Sequence, residues 1–166
     1  MKIRIIFFIL LSVLFLYGSP EIYAQLKKVA KVEKVKSFSS GTVILNKSIL
    51  DEVEVYSVTL QNNSKFYGPI VFWLGNKNEM IKNLNDLSKC LEEGEKGDVF
   101  EFSACGQDYQ LSVSRTLGSK CFKIRETIAT SQNYGRFFKV TIDDILEFYS
   151  KEDTKIKQDK EENTTE

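Results

Sequence analysis

The chain has 166 residues, with 23 Lys and Arg, 23 Asp and Glu, three Cys and no His. The length allows one domain of ordinary size. Because the sequence has no His, it cannot form a Ser-His-Asp or Cys-His nucleophile system, a His-ligated zinc site or a His-anchored haem site.

The first 24 residues have the organisation of a secretory signal peptide. Lys2 and Arg4 precede a 13-residue apolar run at 5–17, and the small residue Ala24 follows as a candidate cleavage site. As a helix the run would span about 20 Å, well short of the roughly 30 Å hydrocarbon core of a bilayer. We therefore predict a signal peptide over 1–24 that crosses the membrane, a mature chain without a transmembrane helix, and a secreted, periplasmic or cell-envelope location.

Charge is concentrated at both ends of the remaining chain. Residues 25–39 carry five Lys against a single Glu, and residues 151–166 carry ten charged residues with Ile156 as their only apolar one. Such segments bury too little apolar surface to offset their ordering entropy. We predict a flexible Lys-rich linker over 25–39, a single domain over 40–150 and a disordered charged tail over 151–166.

Strand signals dominate between these ends. Seven short β-branched or alternating runs are separated by turn sequences, at residues 42–45, 53–60, 70–74, 99–104, 109–113, 122–125 and 137–140. Their close spacing predicts a mainly antiparallel meander sheet of about six or seven strands.

Helical periodicity occurs twice. Asn76 and Glu79 have capping-box spacing at the start of an apolar stripe formed by Met80, Leu84, Leu87 and Leu91. These features predict a helix over 77–93, closed by Gly94. A second stripe predicts a helix over about 142–151 with Thr141 as its N-cap, formed by Ile142, Ile145, Leu146 and Tyr149. The predicted fold class is α+β, with two helices packed on the sheet.

Three Cys in an exported chain suggest a disulfide. In the meander, Cys105 and Cys121 fall at opposite ends of the sheet, farther apart than the ~7 Å Cα limit for a bridge. Cys90 ends the first helix near the edge where the strand of Cys121 begins. Cys90 and Cys121 are therefore the candidate pair, and the alternative is that all three are small buried hydrophobic residues.

No motif identifies a catalytic or metal site. Neighbouring Cys are at least 15 residues apart, which is unlike a zinc site, and there is no nucleophile elbow or phosphate-binding loop. Asp143 and Asp144 begin the second helix, where carboxylates favour the helix dipole, and their spacing does not select a catalytic pair. We predict no catalytic residue, no metal and no cofactor.

The net charge argues against a nucleic-acid partner. The leader holds Lys2 and Arg4 against Glu21, so the remainder keeps 21 basic and 22 acidic residues. Binding to a phosphate backbone requires a basic face, so we predict no nucleic-acid binding.

The most suggestive surface is the turn Lys65, Phe66 and Tyr67, followed by Gly68-Pro69. Exposed aromatic residues are effective anchors for binding, whereas a turn beside a hydrophobic strand also commonly places an aromatic side chain as a lid on the core.

These observations favour an exported, non-enzymatic binding module for a protein, a peptide or an envelope component. Two alternatives stay open: a small secreted hydrolase that uses carboxylates, and a structural or assembly component of the cell envelope. Convergent carboxylates in a concave pocket would favour the hydrolase, and an exposed aromatic patch would favour binding.

Overall fold

The described chain contains two successions of elements, each with four strands followed by one helix. The computed structural model describes residues 32–50, 52–127 and 133–162, with side chains described through Glu152 and at Thr154. The first succession is β1 Glu33–Phe38, β2 Val43–Leu50, β3 Val53–Leu60, β4 Ile70–Gly75 and α1 Lys77–Glu93. The second is β5 Val99–Ala104, β6 Gln107–Thr116, β7 Ser119–Glu126, β8 Gly135–Phe138 and α2 Lys139–Glu162.

The strands form two antiparallel sheets of four, each with its strands in chain order. The α+β class is confirmed, but the prediction of one sheet with six or seven strands is wrong. Helix α1 interrupts the meander after β4. A side chain of the second sheet forms hydrogen bonds with backbone groups on the free edge of β4. The Tyr109 hydroxyl donates to the Val71 carbonyl at 3.0 Å and accepts from the Trp73 N–H at 3.2 Å.

The apolar faces of both sheets and both helices meet in one core. The β2–β3–β4 register places Leu45, Val58 and Phe72 side by side on the buried face of the first sheet. The Phe72 ring also lies 4.9 Å from the rings of Phe102 and Tyr109 in the second sheet, centroid to centroid. The core is thus continuous across the two sheets.

Helix α1 has the predicted bounds and cap. The Asn76 side chain accepts from the backbone N–H groups of Asn78 and Glu79, and the Glu79 carboxylate accepts from the Asn76 N–H. Its four predicted stripe residues are all buried in the core: Met80, Leu84, Leu87 and Leu91.

Helix α2 is longer at both ends than predicted. It begins at Lys139, so Thr141 lies inside the helix, where it is buried with its hydroxyl oxygen 2.5 Å from that of Ser39. The predicted N-cap role of Thr141 is therefore wrong. The backbone continues as helix to Glu162, through most of the segment predicted as a disordered tail.

Part of the predicted linker forms the edge strand β1. The Lys36 ammonium lies 4.3 Å from the centroid of the Phe148 ring on α2, and Phe38 is buried. Long Lys stems can cover apolar surface while their charge stays accessible, so a Lys-rich composition is compatible with a strand at a sheet edge. The predicted signal peptide lies outside the described residues.

Across the described part of the chain, no helix combines the length and the apolar composition needed to span a bilayer.

Candidate binding site

The loop between β3 and β4, residues 61–69, presents two aromatic side chains. Phe66 is 95% exposed and Tyr67 is 58% exposed, with Lys65 exposed beside them. Phe66 therefore does not serve as a lid on the core. The three residues of the predicted binding surface lie together on this loop.

The Asn62 side chain holds the loop in shape. Its amide nitrogen donates to the Gly68 carbonyl at 3.0 Å, and its amide oxygen accepts from the Ser64 N–H at 3.0 Å. The Ser64 hydroxyl in turn accepts from the Phe66 N–H at 3.3 Å. Such Asx and Ser turns replace the strand hydrogen bonds that a loop lacks, so the aromatic residues are carried on an ordered backbone.

The loop is also fastened to the second sheet. The backbone N–H of Asn63 donates to the Tyr134 carbonyl at 3.0 Å, and the Tyr134 N–H donates to the Asn63 side-chain oxygen at 2.8 Å. Asn62 forms a bridge with Gly135. A Cβ at Gly135 would lie only 2.7 Å from the Cβ of Leu60, so this close approach requires glycine.

Tyr134 brings two cations together beside the loop. The Lys123 ammonium lies 4.9 Å and the Arg136 guanidinium 5.3 Å from the centroid of its ring. Arg136 also donates to the Tyr134 hydroxyl at 3.1 Å. Lys123 and Arg136 are direct partners across β7 and β8, on the sheet face opposite the buried Phe122 and Phe137.

Two recesses that share lining residues flank the loop. A cleft of about 160 Å³ is lined by Thr42, Gln61, Asn62, Asn63, Tyr134, Arg136 and Phe138. A second recess of about 310 Å³ is lined by Gln61, Asn62, Ser64, Lys65, Tyr67 and Pro69. Because Gln61 and Asn62 line both, the recess at the aromatic loop is adjacent to the cleft that Arg136 borders.

Sequence reasoning identified the aromatic loop but not Tyr134, Arg136 or Lys123. The only local signal was the turn sequence Asn133-Tyr134-Gly135, which indicates a turn but not what it packs against. Tyr134 follows Asn63 by 71 positions, so only the packing of the two sheets brings them together.

The structure does not support the predicted bridge between Cys90 and Cys121, because all three cysteines are free. Cys90 lines a groove between α1 and β5 together with Phe122. Cys121 precedes Phe122 on β7, and successive strand residues point to opposite faces, so its side chain is on the other side of the sheet. The start of β7 does lie beside the end of α1, where the Lys120 ammonium donates to the Glu92 carbonyl, but this proximity does not bring the two thiols to the same face.

One of the two carboxylates considered for catalysis, that of Asp143, belongs to an ion-pair network. The Lys139 ammonium lies 2.8 Å from Asp143 and 3.0 Å from Glu92, and these bonds, the one to Asp143 first, raise its pKa. Asp143 also accepts from the Ser88 hydroxyl at 2.9 Å, while Asp144 is exposed. The network joins the end of α1 to the start of α2.

Within the described ranges, no three acidic or thiol side chains are grouped so that they could hold a metal ion. Comparison with protein-family models, with curated proteins and with solved structures finds no match to this chain.

Proposed function

We propose that this chain is an exported, non-enzymatic binding module that recognises a protein or peptide through the loop 61–69. The observation that supports the proposal is the position of Phe66, a large apolar side chain left 95% exposed on an ordered loop. An isolated exposed apolar residue is ordinary, but here Tyr67 and Pro69, which line the neighbouring recess, extend the surface.

The order of the loop favours binding energetically. Its backbone is fixed by Asn62 within the loop and by Asn63 and Tyr134 across the sheets. A surface that is already in its bound shape loses little conformational entropy when a partner docks. Burying a Phe side chain is worth about 1.5–3 kcal/mol, which corresponds to roughly a 10- to 150-fold change in Kd.

The test is a selection of peptides from a random displayed library on protein purified from expression of the full chain. Selected peptides are then titrated against wild type, Phe66→Ser and the matched control Leu117→Ser. Leu117 is also fully exposed, but lies at the β6–β7 turn, at the other end of the second sheet.

We expect selected peptides to lose at least tenfold in affinity with Phe66→Ser and less than twofold with Leu117→Ser. If no peptide is enriched, or if enriched peptides bind Phe66→Ser as well as wild type, the proposal is wrong. Circular dichroism of both variants confirms that any loss is not caused by unfolding.

A further inference from the structure

We infer that the cleft beside the loop receives a carboxylate of the ligand, held by Arg136 with Lys123 and Tyr134. This inference depends on the proposed function for the identity of the ligand as a peptide or protein. The anionic nature of the bound group is inferred independently, from the arrangement of charges on β7 and β8.

Lys123 and Arg136 form a like-charge pair. They are direct cross-strand partners, and like charges in that arrangement destabilise a sheet. Among the described residues, neither lies within 4.0 Å of a carboxylate. An anion bound in the cleft, close to both side chains, would offset this repulsion by one favourable interaction with Lys123 and one with Arg136.

The Arg136 guanidinium retains most of its hydrogen-bonding capacity. Of its five N–H donors, one bonds the Tyr134 hydroxyl, and no other bond to the described residues is formed. Stacking on Tyr134 and this bond restrain the side chain at the border of the cleft. A guanidinium that is positioned but unsaturated matches the paired oxygens of a carboxylate.

The size and lining of the cleft favour a small anionic group. Its volume of about 160 Å³ is below the range of about 300–1,000 Å³ typical for whole drug-sized ligands, so it suits one group of a larger ligand. Beside Arg136, its polar lining consists of the neutral side chains of Thr42, Gln61, Asn62, Asn63 and Tyr134. One cation in the lining with a second beside it suits a single carboxylate better than a phosphate dianion.

Such a carboxylate can come from a peptide C-terminus or from an Asp or Glu side chain. N-acetylglycine represents the first source and N-acetyl-aspartyl amide the second. The neutral N-acetylglycinamide and inorganic phosphate complete the set of probes. Each is titrated at constant ionic strength while the backbone amide resonances of Asn63, Tyr134 and Gly135 are followed by NMR.

We expect saturable binding of at least one carboxylate probe, at least tenfold tighter than the neutral amide. Arg136→Gln should weaken binding at least tenfold, and Lys123→Gln about threefold. The matched control is Arg125→Gln, a cation on β7 and on the same face as Lys123, whose guanidinium bonds Gln110 instead. It should change the affinity less than twofold.

Equal binding of the neutral amide, full binding by Arg136→Gln, or phosphate binding ten times more tightly than either carboxylate would overturn the inference. Arg136→Lys, which keeps the charge but not the planar fork, should retain partial binding and guards against a misfolded Gln variant. The probes lack the peptide side chains that would contact Phe66, so their binding tests the cleft alone. A failure of this subsite is thus distinguishable from a failure of the proposed function, which is measured by the dependence of selected peptides on Phe66.

Discussion

The Tyr109 hydroxyl replaces a missing neighbour strand at the edge of β4, and its removal tests how the two sheets are joined. Tyr109 is 1% exposed, and its hydroxyl makes two hydrogen bonds, to Val71 and Trp73. Tyr109→Phe keeps the ring, so its contact with Phe72 is preserved and little cavity forms. The substitution therefore isolates the two hydrogen bonds.

The expected cost follows from the groups left without a partner. A buried backbone donor or acceptor that loses its partner costs about 1–3 kcal/mol. Val71 and Trp73 are half-buried, so water can reach part of their backbone edge. We expect Tyr109→Phe to lower the free energy of unfolding by about 2 kcal/mol, below the sum for two fully buried groups.

Urea unfolding measures this loss. With a slope near 2 kcal/mol per molar urea, the midpoint should fall by about 1 M at an unchanged slope. The matched control is Tyr67→Phe, the same change at an exposed position, which should stay within about 0.5 kcal/mol of wild type. A Tyr109→Phe midpoint equal to that of the control would refute the assigned role of the hydroxyl.

The same substitution has a signature at alkaline pH. Burial raises the pKa of Tyr109 to about 12, against about 10 for an unperturbed tyrosine. The folded state therefore holds this proton more tightly than the unfolded state, and its stabilising contribution is complete below pH 10 and is lost between pH 10 and 12. Wild type should lose about 3 kcal/mol more than Tyr109→Phe across this interval, and equal losses would contradict the raised pKa.

Three further predictions concern the turns, the first helix and the thiols. Leu117 is fully exposed at φ +51°, so Leu117→Asn should raise the free energy of unfolding by about 1 kcal/mol, and a lower urea midpoint would contradict the strain. Asn76→Ala removes the side-chain cap of α1 and should lower the free energy of unfolding by about 1 kcal/mol in the same assay, whereas the exposed control Asn78→Ala should not. Alkylation in denaturant without reductant should give three adducts by mass spectrometry, and fewer would indicate a bridge among Cys90, Cys105 and Cys121.

Local patterns predict those elements whose stabilising contacts are close in sequence. Helix α1 is an example, because its cap is formed by Asn76 and Glu79 and its buried stripe repeats within the segment. Strand β1 could not be predicted from a local pattern, because its covering contacts come from α2. The Phe148 ring of α2 lies against the Lys36 ammonium of β1. The prediction of where α2 starts is wrong for a similar reason, since Thr141 is buried against Ser39, distant in sequence, and does not cap the helix.

The candidate site was predictable only in part. The aromatic loop is a contiguous segment, and its Gly-Pro sequence indicates a turn at the surface. The cleft depends on Asn63 meeting Tyr134 and on Lys123 pairing with Arg136, and neither relation has a local pattern. Predicting them would require the register of β7 with β8 and the placement of one sheet against the other.

The position of the site follows from the repeated order of four strands and a helix, which the sequence does not show as an internal repeat. The loop 61–69 belongs to the first succession, and Tyr134 and Arg136 belong to the second. The loop keeps its orientation because Gly135 allows β8 to approach Leu60 closely. A ligand that contacts both Phe66 and Arg136 would bind only when the two successions are correctly joined, so its binding free energy would also stabilise the junction that forms its site.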